Sequence, residues 1–196
     1  MAEIRSTMDM VMERAARMGG DAGSDLEAEE KIKAGMRAGA GYLRSEVADL
    51  AKFVSSQAES DRSSLVKGIT QALLRNIALP RESDQQSVAE TAMNGLVQVG
   101  QGSGELLAVF GDMKKVLDQY LQHRQQLRQQ LEDGFAQQMG QMQDNVAKQT
   151  GMNMKLDPSQ HPKFQEEWHR LQAELNDHYG KALDQYKQMV EQLLSR

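Results

Sequence analysis

The 196-residue chain contains no cysteine, only three prolines, and aromatic residues at just 5%. Without thiols there is neither a disulfide framework nor a thiolate metal site, which fits a reducing compartment. Pro80, Pro158 and Pro162 all stand where helical patterns stop, so no helix interior is broken by proline. β-Branched runs are also scarce, and strands have little to form from. The sequence therefore predicts an all-α fold.

Long apolar runs are missing as well. No segment reaches the roughly 18 apolar residues of a membrane span. Met1 to Met18 alternates charged with apolar residues instead of offering the basic start and unbroken apolar stretch of an export signal. The expected location is the cytoplasm. Charge of one sign is not concentrated either: residues 1–100 carry 15 acids and 12 bases, residues 101–196 carry 13 and 11, and the total is −5. A duplex-binding protein gathers Lys and Arg on one face to neutralise phosphates, so nucleic acid is not an expected partner.

What the chain has in quantity is helical periodicity. From Glu105 to about Val146, Leu106, Phe110, Met113, Leu117, Tyr120, Arg124, Leu127 and Leu131 recur at steps of four and three, which lays one apolar stripe down a single long helix. Beyond Leu131 the stripe continues as Phe135, Met139, Met142 and Val146, inserting an extra step of four that should relax any left-handed supercoil. Eleven of the 31 residues from Gln119 to Gln149 are glutamine, a good helix former that solvates a face without charging it. Phe164, Trp168, Leu171 and Leu175, then Tyr179, Leu183, Tyr186, Val190 and Leu193, repeat the same irregular rhythm. Matching irregularities suggest that the two segments pack as an antiparallel coiled-coil-like hairpin, residues 104–196, turning at about 151–162. At roughly 1.5 Å per residue the first of these helices spans on the order of 70 Å. That length predicts either an arm on a globular base or an extended bundle.

Residues 1–100 read as an N-terminal multi-helix region. A first helix over Ala2 to Met18 is marked by Ile4, Met8, Val11, Ala15 and Met18, with Met12 widening the face and Gly19 and Gly20 at its end. Gly20 to Gly23 then reads as a linker, and Ser24 with Glu27 as a capping box for a second helix through Ile32, Met36, Leu43, Val47, Leu50 and Val54. Gly35 and Gly39 interrupt it, and a kink is preferred over a close helix approach, because each glycine costs about 1 kcal/mol in a helix interior. Leu65, Ile69, Leu73 and Ile77 mark a third helix capped by Ser60 or Ser63, unless the second runs straight through. Ser83 with Gln86 opens a fourth, bearing Val88, Ala92, Leu96 and Val99. The glycines from Gly100 to Gly104 break it.

Chemistry finds little support. Gly100, Gly102 and Gly104 imitate a dinucleotide fingerprint, but Glu105 stands where the third glycine belongs and would repel a pyrophosphate, so a hinge is the ordinary reading. Glu166 and His169, three apart, with Glu174 and His178 one or two turns on, are the only candidate metal ligands. A carboxylate-bridged site needs a second copy of that pattern, and the residues three before the other histidines are Tyr120, Pro158 and Leu175. Serines sit at helix starts, and no nucleophile has an evident base. No catalytic residue, cofactor or metal is expected.

The stretch from Leu156 to Trp168, with Asp157-Pro158 and Pro162-Lys163-Phe164, and the opening Glu3-Ile4-Arg5-Ser6-Thr7 resemble a set of small, functionally uncharacterised bacterial helical proteins. The resemblance covers about a quarter of the chain and implies a helical fold with no activity. The leading expectation is a non-enzymatic interaction or scaffold protein that self-assembles or binds another helical protein, with Leu117, Tyr120, Leu127, Leu131, Trp168 and Leu175 as packing determinants. Trp168 reads first as hairpin packing and second as an anchor for a partner. Two alternatives are a surface-active coat or peripheral membrane protein, disfavoured by the lack of cations beside the apolar faces, and a metal-binding bundle enzyme.

Overall fold

The computed structural model describes the backbone of residues 7–81, 83–150 and 157–195, and the side chains of residues 25–81, 85–140, 157 and 159–195. Among the described residues there are six α-helices and no strand: α1 (Thr7–Leu43), α2 (Leu50–Ser55), α3 (Glu59–Arg75), α4 (Ser83–Val99), α5 (Gly104–Thr150) and α6 (Pro162–Leu194), the last preceded by a 3-10 turn at Pro158–Gln160. The protein is all-α. No helix among the described residues is long and apolar enough to cross a membrane.

The chain divides into two compact units: residues 1–77, 88–107 and 191–196 form one, and residues 78–87 with 108–190 form the other. In the first unit, α1 continues through Gly19, Gly20 and Gly23, so the expected linker and the new start at Ser24 are not there. Each glycine weakens a helix by about 1 kcal/mol, but with no proline to remove a backbone bond the ladder stays unbroken. The apolar positions expected on the first helix, Ile4 to Met18, lie outside the described side chains.

Helix α1 ends at Leu43 rather than running on to Val54. The N–H of Glu46 bonds the Gly41 carbonyl at 2.8 Å and that of Ser45 bonds Tyr42 at 3.0 Å, while Ser45 adopts φ 61°. This is a Schellman ending built without glycine. Asp49 then caps α2 by accepting from Lys52 N–H at 2.9 Å. The second and third helical segments are thus separate. The start of α3 at Ala58 has no side-chain cap, for Ser60 Oγ turns to Asp61 Oδ1 and Ser63 is exposed within the helix.

Leu65, Ile69, Leu73 and Ile77 are all buried, as the period of α3 requires. Against this face α1 packs through Gly35 and Gly39. A Cβ on Gly35 would lie 2.2 Å from the Leu65 carbonyl oxygen, and one on Gly68 would lie 2.0 Å from that of Ile32. The glycines therefore serve a close backbone approach, not a kink. In α4, Ala92 and Leu96 are buried as expected, but Val88 is 44% exposed and Ala89 and Met93 take its place in the core. Small residues are used here because space is short: a Cβ on Gly95 would come within 2.8 Å of the Tyr42 ring. The Gln86 side chain donates to Asp118, and the Ser83 side chain, the other half of the expected capping box, lies outside the described residues. Gln85 Oε1 accepts from Arg81 N–H at 2.8 Å.

Candidate functional site in the seam between α5 and α6

Helices α5 and α6 run antiparallel, and the rise of residue numbers along one is matched by a fall along the other. Tyr120 Oη donates to Asn176 Oδ1 at 2.7 Å and its ring meets that of Tyr179 edge-on at 5.6 Å. Further along, Phe135 meets Phe164 at 5.5 Å and His161 at 5.8 Å. The positions of Met142 and Val146 lie outside the described side chains, as do residues 151–156 of the expected turn. Asp157 leads into the 3-10 turn before α6, accepting from Ser159 N–H at 2.9 Å, and hydrogen bonding from the Ser159 side chain, followed by this backbone bond, holds its carboxyl below the ordinary range.

The six packing candidates separate into two groups. Leu117, Tyr120, Trp168 and Leu175 are buried, whereas Leu127 and Leu131 remain half-buried, as do Phe135 and Met139 after them. The stripe on α5 is thus covered from Leu106 to Tyr120 and only partly covered beyond. Two helices cannot enclose a stripe on their own. Beside the uncovered part lies a groove of about 740 Å³ bordered by Leu131, Gly134, Phe135, Lys163, Glu166 and Glu167.

Trp168, 8% exposed, carries two cations on its ring: the guanidinium carbons of Arg124 and Arg128 stand 5.8 and 5.9 Å from the ring centroid. This accounts for an arginine in the apolar stripe, since a guanidinium stacks on an aromatic face as a flat apolar group while keeping its charge. Arg124 also donates to the Arg81 carbonyl, and with the Gln172 amide oxygen turned toward it, Nε and Nη2 each reach that oxygen at 3.3 Å. Around this latch opens a cleft of about 720 Å³, lined by residues that include Leu79, Arg81, Tyr120, Arg124, Trp168, His169, Leu183, Asp184 and Lys187. Burial pushes the Tyr120 phenol above its usual pKa, and the nearby Arg124 and Arg81 cations work against that shift.

The metal candidates do not converge. Glu166, His169, Glu174 and His178 are all exposed, Glu174 pairs with Arg170 at 3.3 Å, and among the described residues no three His, Asp or Glu side chains gather around one point. The glycine loop is equally unlike a phosphate cradle. Gly102 N–H bonds the Val97 carbonyl at 2.9 Å and Gln101 N–H bonds Gln98, with Gln101 at φ 53° and Gly102 at φ 70°. The loop is a second Schellman ending, closed on α4.

Three parts of this arrangement escaped the sequence: the Arg81 and Gln172 contacts of Arg124, the bond by which the Gln98 side chain accepts from Leu50 N–H at the start of α2, and Gly68 as the partner of Gly35. For the last of these, Gly68 inside the helical pattern of α3 was an available signal; the other two had none.

Fold and seam together define an all-α protein with an antiparallel pair of long helices. More particularly, the chain belongs to a family of unknown function, DUF6657, whose sequence model matches residues 51–192. No curated protein and no solved structure matches the chain.

Proposed function

We propose that the protein is a non-enzymatic, cytoplasmic helical interaction protein that associates with a second copy of itself through the outer part of the α5–α6 pair in a coiled-coil-like manner. The observation that carries this reading is the change along one stripe: Leu117 and Tyr120 are buried, while Leu127, Leu131, Phe135 and Met139 are left half-covered. Two such pairs laid together form a four-helix bundle, the smallest arrangement in which every stripe has apolar neighbours on both sides. Charge does not oppose it, since residues 121–149 hold three bases (Arg124, Arg128, Lys148) against three acids (Glu132, Asp133, Asp144) and are otherwise rich in glutamine. Homotypic contact also needs only one self-complementary patch, the commonest route to a dimer.

Light scattering of the full chain across a range of concentrations tests this. A mass above the monomer that falls to the monomer in Leu127→Glu with Leu131→Glu, at unchanged helical circular dichroism, is the expected result. A monomer at every concentration would overturn it.

A further inference from the structure

We propose that the cleft around Trp168 binds a small organic oxyanion with an aromatic body. Its volume, about 720 Å³, falls in the range of roughly 300–1,000 Å³ usual for small-molecule sites. Tyr120, Trp168 and Leu183 supply the aromatic and apolar surface, and Arg81, Arg124 and Lys187 bring three cations against, among the described lining residues, one carboxylate, that of Asp184. That excess is local, because the chain as a whole carries −5.

Two of the groups are prepared for an anion. Arg124 is held by the Arg81 carbonyl and lies against Trp168, so little rotamer freedom remains to be lost on binding. The Lys187 side chain is only 24% exposed, yet Asp184 approaches it no closer than 4.0 Å. A half-buried ammonium at that distance has donors to spare for an incoming oxygen. Neutral aromatic molecules would fill the same space and leave those donors unmet, which is how the site would discriminate between ligands.

This proposal stands apart from self-association, because its readout is local. Trp168 is the sole tryptophan, so intrinsic fluorescence of the full chain reports the cleft directly. Titration with benzoate and phenyl phosphate is expected to give a saturable change, with benzyl alcohol giving none at equal concentration and Lys187→Ala or Arg81→Ala weakening binding about tenfold at unchanged circular dichroism. Response to benzoate alone would assign a carboxylate, and to phenyl phosphate alone a phosphate. The proposal is overturned if neither saturates, if benzyl alcohol or inorganic phosphate matches them, or if both folded variants bind as tightly as the original protein.

Discussion

Gly35 on α1 and Gly68 on α3 lie at a helix crossing so close that a methyl group on either would strike the other helix's backbone, 2.2 Å from the Leu65 oxygen in one case and 2.0 Å from the Ile32 oxygen in the other. Backbone cannot step aside as a flexible side chain can. Gly35→Ala or Gly68→Ala should therefore lower stability by about 3 kcal/mol or more, since the helices must separate and uncover Leu65 and Ile69. Gly134 on α5 is the control, for nothing lies within 4 Å of its added Cβ, and Gly134→Ala should raise stability by up to about 1 kcal/mol. Urea denaturation of the three variants checks both signs. Equal, small effects at Gly35 and Gly134 would refute the crossing.

Gln98 joins three elements with one amide. Its Oε1 accepts from Leu50 N–H at 3.0 Å, and its Nε2 donates to Tyr42 Oη at 3.2 Å. Leu50 is fully buried, so its N–H would lack a partner in Gln98→Ala. The expected loss is about 1–3 kcal/mol, with Gln98→Glu retaining the acceptor but not the donor and falling between. Thermal unfolding of the pair provides the measurement.

Arg124→Lys should behave as a severe change despite the retained charge. An ammonium cannot stack flat on Trp168 or reach Arg81 and Gln172 together, and about 1–2 kcal/mol should be lost. Tryptophan emission is expected to shift to the red as the ring gains water. In a double-mutant cycle with Trp168→Phe, additive losses would show that the two side chains are not coupled.

Lys31 and Asp61 pair at 2.6 Å across α1 and α3. The hydrogen bond from Lys31 holds the Asp61 carboxyl below its usual pKa, and the same bond raises Lys31 above its own. A depressed carboxylate contributes stability that is complete above its unfolded pKa, about 3.9, and is lost as pH falls through the lower folded value. Lys31 adds the mirror effect, present below about 10.4 and lost as pH rises through its raised value. Asp61→Asn should consequently flatten the acid side of the stability profile and the far alkaline side, leaving the difference between the proteins constant near neutrality. A difference that grew toward low pH would contradict the pairing.

The all-helical class, the long helix from Gly104 to Thr150 and its antiparallel pairing with α6 were legible in the residues, because they rest on local period: Leu106, Phe110, Met113, Leu117 and Tyr120 repeat at helical steps and are buried accordingly. Local signals failed where two conformations differ little in free energy. Gly19 and Gly20 looked like an ending and are helix, whereas Ser45 and Gln101 end helices in a left-handed conformation that their side chains do not advertise.

Periodicity alone thus determined the all-helical class and which faces of α5 and α6 turn inward, since both follow from 3.6 residues per turn and the cost of wetting apolar groups. Only the tertiary structure decided how deeply each position is buried, why Gly35 and Gly68 must be glycine, and why Arg124 belongs in an apolar stripe. Those answers depend on which atoms from distant parts of the chain arrive within a few ångströms, and spacing along one helix carries no record of that.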